Sequence, residues 1–318
     1  MVRLLLVAFV CALCACGGNQ QLRPEAEARC RGASADAARL RAHVEALSTR
    51  FLPRDFDHPE NLDRAAAYIG DSLRASGAAV EDQPYTVGSR TYRNVLARIG
   101  PETPERIVVG AHYDAAGDQP GADDDASGVA GLLELARLLS AAPPPLRVDL
   151  AAYTLEEPPN FGEDTMGSAV HAGFLAARTA RVRLMISVEM IGTFSDAPGS
   201  QSYPLFFGLF YPSTANFIAV VGKWGQGAAI DEVARALRLA SELPVETLSA
   251  PAFVTGVDFS DHRSFWENGY TAVMVTDTAF YRNPRYHTAD DRLETLDFAR
   301  MAEVVKGLHC AVQSVARR

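Results

Sequence analysis

Two short, largely apolar runs, residues 106–111 and 146–153, bracket a strongly apolar helical stretch at 128–139 that Pro143-Pro144-Pro145 stops. Apolar runs of this length suit strands buried on both faces. A buried strand, a buried helix and a second buried strand in succession restrict the chain to α/β architecture, a largely parallel sheet with helices on both faces. The spacing predicts further strands at 184–190, 205–209, 217–221 and 272–276. Residues 80–87 and 91–99 read as a hairpin around Gly88-Ser89-Arg90. Helical periodicity covers 33–47, 61–76, 168–177, 228–241, 260–268 and 296–316, and Gly77 supplies a stop for the second of these. No repeat, low-complexity stretch or second core interrupts the pattern.

In an open sheet of this kind, ligands collect at the carboxyl ends of the strands. That is where the chemistry-bearing residues fall. His112 and Asp114 (GAHYDA) follow the first apolar run and Glu156-Glu157 (TLEEPP) follow the second. Asp123 opens an aspartate triplet (PGADDDASG) before the apolar helix. Glu189 (SVEMIG) ends a later strand, and His287 lies in NPRYHT. Each string alone has a bland reading: a surface His-Asp pair, a solvated helix start, an exposed acidic face. Their joint order is far more constrained. Carboxylates mixed with imidazole are what zinc and similar divalent ions bind, and an adjacent Glu-Glu pair can hold a metal with one member and move a proton with the other.

The chain has 318 residues, 48% hydrophobic, enough for one large α/β domain or two small ones, and the single core favours one. A net charge of −9 without any basic run excludes nucleic acid as an expected partner. Residues 1–15 hold Arg3 and an apolar stretch too short to span a bilayer but suited to an export signal. Leu13-Cys14-Ala15-Cys16 resembles a bacterial lipobox, so Cys16 is the expected lipidation site, with 16–30 as a polar tether and 31–318 as one catalytic domain. An ordinary cleaved secretory signal is the alternative. With Cys11, Cys14 and Cys16 accounted for, Cys30 and Cys310 remain. Export to an oxidising compartment and the closeness of domain termini predict a disulfide between them. The expected location is the periplasmic or extracellular side of a bacterial membrane, held by the lipid anchor only.

GAHYDA, PGADDDASGVAGLLELARLL, EEPP, VEMIG, SDHRSFW and RNPRYHTADD together resemble the secreted di-zinc aminopeptidases, metallopeptidase family twenty-eight, whose relatives include glutaminyl cyclases. The resemblance covers roughly residues 61–307. It implies a three-layer sandwich with a central mixed, mostly parallel sheet of about eight strands, two zinc ions per chain and a peptide substrate; a monomer is expected. Residue by residue, it makes His112 and Glu189 ligands of one zinc, Glu157 and His287 ligands of the other, and Asp123 the bridge between them. Glu156 matches the general base, Asp114 the partner that orients His112, and Ser260 a position behind the ligands. A cis peptide is implied after the bridging aspartate, here Asp123-Asp124.

The chemistry implied is water-driven amide hydrolysis at paired metals, with Glu156 carrying the proton. Glu189 departs from the family, where many members have aspartate. A weakened first site would move the chain toward a single-zinc glutaminyl cyclase, and a non-catalytic binding protein on the same fold is a further alternative. The aromatic stretch SQSYPLFFGLFYPSTANF either walls a side-chain pocket or is strand and core. His171, His262 and His309 lack metal spacing and read as structural.

Overall fold

The computed structural model describes residues 30, 32–204 and 206–318; residues 1–29, with the expected signal segment and Cys16, lie outside the described residues, as do Arg31 and Leu205. Two helices, α1 (Ala37–Arg50) and α2 (Pro59–Ala75), precede the hairpin β1 (Ala79–Val87) and β2 (Arg90–Ile99). Then follow β3 (Glu105–His112), α3 (Ala126–Ala141), β4 (Arg147–Tyr153), α4 (Gly167–Ala177) and β5 (Arg181–Glu189). The remainder comprises β6 (Ile218–Lys223), α5 (Gly227–Ala240), β7 (Val245–Ala250), α6 (His262–Glu267), β8 (Ala272–Thr276) and α7 (Phe298–Val315). Local chemistry sets the boundaries. Asp36 caps α1 by accepting from the amides of Ala38 and Arg39, and Pro59 occupies the start of α2, where its missing N–H costs nothing.

The strands form one eight-stranded sheet in the order β1-β2-β4-β3-β5-β8-β6-β7. β3 lies between β4 and β5 and is parallel to both, and β5 is parallel to β8. The β1–β2, β2–β4 and β6–β8 pairings are antiparallel, so the sheet is mixed, as expected. Successive residues of a strand point to opposite faces, and the two cores follow that alternation. Ile107, Val109, Ile186 and Val188 join α1, α2, α3, α5 and α7 on one face. Val108, Met185 and Met274 join α4 and α6 on the other.

Two expectations fail. Residues 207–209 form a 3-10 turn instead of a strand, with Phe206, Leu209 and Phe210 exposed. Their apolar character serves a surface loop and a cavity wall, which local periodicity does not distinguish from a buried strand. β7 was not anticipated: its burial is partial along most of its length, so it lacks the apolar run that marks a central strand.

Cys30 and Cys310 are joined by a disulfide that closes a separation of 280 residues and ties the start of the domain to α7. Such a link restricts the unfolded chain strongly. Replacing both cysteines with alanine should lower the unfolding free energy by ~2–4 kcal/mol. Urea melts read by circular dichroism measure this, and an unchanged midpoint would show that the bond adds no stability.

Candidate metal centre and adjoining cavity

The carboxyl ends of three neighbouring parallel strands, β4, β3 and β5, bring the site together. His112 ends β3, Glu189 ends β5, and Glu156 and Glu157 follow β4 by three and four residues. Asp114 joins two of these groups. Its carboxylate accepts the amides of Glu156 and Glu157 at 3.1 Å each, and it lies 3.5 Å from His112 Nδ1. One buried side chain therefore sets both the Glu-Glu turn and the imidazole.

The aspartate triplet separates into three roles. Asp124 lies between the histidines, with Oδ1 3.2 Å from His112 Nε2 and Oδ2 3.1 Å from His287 Nε2. Asp125 caps α3, its Oδ1 accepting from Gly128 N at 3.0 Å and Met190 N at 2.9 Å. Gly128 is required there, because a Cβ would sit 2.4 Å from the Asp125 carboxylate and 2.5 Å from the Val188 carbonyl. Asp123, expected to bridge two metals, faces away from the histidines. It accepts from Gly192 N at 2.9 Å, the Thr193 hydroxyl and Asn283 Nδ2 at 3.1 Å. Asp124, not Asp123, is therefore the member that faces both histidines, and the cis peptide lies at Asp124-Asp125. The triplet turns into a helix start, so its side chains point three ways, and composition gives no register for that turn.

The remaining expected residues converge. Glu189 Oε2 is 3.6 Å from His112 Nε2 and accepts the Ser260 hydroxyl at 2.7 Å, while Ser260 also pairs with Ser187. Glu157 Oε2 is 3.2 Å from His287 Nε2, and Asp124, Glu157 and His287 offer donor atoms within 4.8 Å of one another. Glu156 Oε2 is 3.9 Å from His112 Nε2. His171 and His262 take no part: their rings bond the Tyr153 hydroxyl and the Val257 carbonyl. His309, within α7, is buried, and burial pushes it down to about 4.

Electrostatics distinguish this cluster from a set of ordinary ion pairs. Burial opposes a charged His112, yet Glu156 and Glu189, with Asp114 and Asp124 behind them, hold it well above the usual imidazole range. Burial and the neighbouring Asp124 charge push Glu157 up to about 7, against the pull of His287. Burial would lower His287, but Asp124 and Glu157 raise it to about 10. Glu157 Oε1 and His287 Nε2 are nevertheless buried without a hydrogen-bond partner. Asp261 adds a fully buried carboxylate, pushed up to about 7 by burial against the pull of His112 and Ser168. Buried charges on this scale require pairing or a metal, and the imidazole-carboxylate donor set fits zinc.

Two supports were not legible beforehand. Asp291 accepts the amides of Asp123 at 3.0 Å and Asp124 at 3.1 Å, fixing the backbone under the triplet. Its only signal is its place four residues after His287 in RYHTADD. Arg54 is fully buried and donates to the carbonyls of Leu47 (2.9 Å), Tyr113 (2.9 Å), Pro120 (2.6 Å) and Gly121 (2.6 Å). It clamps the loop ahead of the triplet to the residue after His112, and nothing in its local sequence marks that role.

Beside Glu189 the sheet opens into a largely apolar cavity. Tyr203, Phe207, Tyr211, Phe217, Phe259 and Phe280 line it. The aromatic stretch thus supplies a wall.

An eight-stranded α/β sheet with imidazoles and carboxylates at the ends of its central strands has the architecture of a metal-dependent hydrolase. The sequence pattern of Peptidase family M28 matches residues 94–311, and the chain belongs to that family. An uncharacterized protein of Escherichia coli K12, YfbL, is 45% identical over 283 residues, covering 86% of this chain and 87% of the relative. A probable leucine aminopeptidase of Trichophyton verrucosum is 28% identical over 273 residues; the match covers 81% of this chain but 65% of that longer protein. Among solved structures, the zinc aminopeptidase BSAP of Bacillus subtilis superposes with a TM-score of 0.70 at 16% identity, covering 87% of this chain and 94% of that one. Glutaminyl cyclase from Bacteroides thetaiotaomicron gives 0.67 at 20% identity, covering 88% and 98%. These two likenesses show the fold.

Asp124→Asn should weaken zinc binding, measured by calorimetry on metal-stripped protein, by more than the ~10–100-fold typical of losing a group behind a ligand. Asp123→Asn should mainly lower the melting temperature. Equal losses of zinc affinity in the two variants would return the bridging position to Asp123.

Proposed function

We propose that this chain is a zinc aminopeptidase that removes N-terminal residues from peptides, with two zinc ions per chain. The observation that carries the reading is the placement of Asp124 between His112 and His287. Glu189 flanks one histidine and Glu157 the other, and Glu156 is left over. His112, Asp124 and Glu189 would hold one ion, and Asp124, Glu157 and His287 the second. When bound, paired zinc ions supply Lewis acidity that polarises a carbonyl and makes water more acidic.

The chain's own contribution is proton handling and orientation. Glu156 is held by its backbone to Asp114 while its carboxylate remains within the cluster, so it is positioned to take a proton from the attacking water and return it to the leaving amine. Burial pushes Glu156 well above the usual carboxylate range; His112 pulls it back, and Glu189 and Glu157 push further. A base raised toward the operating pH can both accept and release the proton. Ser260 orients Glu189 and Asp114 orients His112, as second partners of metal ligands commonly do.

A single-zinc glutaminyl cyclase is the second reading, and Glu189 is the observation that favours it. Its side chain is one methylene longer than aspartate, and one oxygen is engaged by Ser260. Plasma emission analysis separates the two readings: two zinc ions per chain support the peptidase and one supports the cyclase. Glu156→Gln should reduce kcat on aminoacyl arylamides by ~10²–10⁴-fold with zinc content unchanged. Near-normal turnover in that variant would remove Glu156 as the base.

We also propose that Cys16 is lipidated and that the tether at 16–30 holds the domain at the outer or periplasmic side of a bacterial membrane. Among the described residues no helix is long and apolar enough to cross a membrane. Three acyl chains would give firm anchoring, at ~0.8 kcal/mol per buried methylene. Cys16→Ser should shift the protein from the membrane pellet to the soluble fraction; an unchanged pellet fraction would remove the anchor.

A further inference from the structure

The strand register that ends β5 at Glu189 continues across the sheet. Glu189 is paired with Thr276 of β8, Thr276 with Ala219 of β6, and Ala219 with Glu246 of β7. Residues directly opposite one another in adjacent strands point to the same face. Three steps of ~4.8 Å put the Glu246 end of the row roughly 14 Å from the Glu189 end. All four residues line the same cavity. Its floor therefore runs from the candidate metal centre to a second carboxylate, and Ala219, the smallest side chain in the row, leaves the middle deep.

The far end has a particular chemistry. The rings of Tyr203 and Tyr211 stack there with centroids 5.6 Å apart. Their hydroxyls are directed away, donating to the carbonyls of Pro212 at 2.6 Å and Thr247 at 2.8 Å. Glu246 lines the same cavity as these two rings, and both phenols are pushed up, chiefly by burial and in part by its negative charge. Glu246 itself is pushed up by burial, with Arg238 pulling the other way. Arg238 belongs to α5, on the opposite face of the sheet, and donates to the Val245 carbonyl. Among the described residues, no ion pair or hydrogen bond reaches the half-buried carboxylate of Glu246, whose backbone belongs to the β6–β7 pairing.

An aliphatic or aromatic substrate side chain would fill this cavity but strip water from a carboxylate with no partner, which is unfavourable. A lysine or arginine side chain meets both demands. Its aliphatic stem lies along apolar floor while its charged head reaches a polar end, and tyrosine faces add attraction for a cation.

We propose that this cavity receives the side chain of the substrate's N-terminal residue and that Glu246 selects a basic one, lysine or arginine. The proposal rests on the aminopeptidase reading above. The test is a panel of Lys-, Arg-, Leu- and Phe-arylamides on the zinc-loaded protein, paired with calorimetric binding of L-lysinamide and L-leucinamide. Wild type should show kcat/KM for Lys and Arg at least ten times that for Leu. Glu246→Gln should reduce the Lys/Leu ratio at least tenfold, and Glu246→Lys should reduce it further. A wild-type preference for Leu or Phe, or a ratio that survives Glu246→Gln, overturns the proposal. Absence of turnover on all four arylamides overturns the aminopeptidase reading instead. The amide-binding ratio then decides the Glu246 assignment alone: tighter lysinamide binding lost in Glu246→Gln supports it, and equal binding overturns it.

Discussion

The arrangement depends on how the backbone from Gly121 to Asp125 is held. Arg54 grips the Gly121 carbonyl from one side, and Asp291 accepts the amides of Asp123 and Asp124 from the other. With that segment fixed, Asp125 can cap α3 and bond the Met190 amide beyond β5, Asp123 can bond the loop after Met190, and Asp124 is left facing both histidines. One short acidic turn thus couples the buried helix, the end of β5 and the loop that carries His287. A partially satisfied buried polar network is strongly destabilising, so these contacts stand or fall together.

The same segment explains the concentration of charge. Buried carboxylates repel one another and each loses hydration, which raises their proton affinity unless positive charge intervenes. Around His112 and His287 the imidazoles supply part of that charge, and Arg54 supplies another part without touching a carboxylate. Burial brings Arg54 down to about 10, with Asp291 and Asp114 opposing the shift. The clustered imidazole and carboxylate atoms that remain could hold a metal ion. The family's zinc chemistry and the geometry therefore agree on physical grounds independent of sequence similarity.

Much of this was legible from residue order. Apolar runs identified β3, β4, β5 and β8 because strands buried on both faces need side chains that are apolar throughout. His112, Glu156, Glu157 and Glu189 could be placed because residues at the carboxyl ends of such strands must share one edge of the sheet. β7 escaped notice because an edge strand with one wet side carries no comparable signal. The 207–209 segment misled for the opposite reason: aromatic residues that wall a cavity have the composition of a strand.

Sequence by itself determined the class of fold and the place of the imidazole and carboxylate residues at one edge of the sheet, since these follow from residue type and order along one chain. Tertiary structure decided which aspartate of the triplet faces the histidines, that Arg54 and Asp291 hold it there, and that Glu246 shares a cavity with Glu189. Each of those depends on a backbone direction or a strand register set by partners far away in the chain. A run of three identical residues contains no record of where each side chain points.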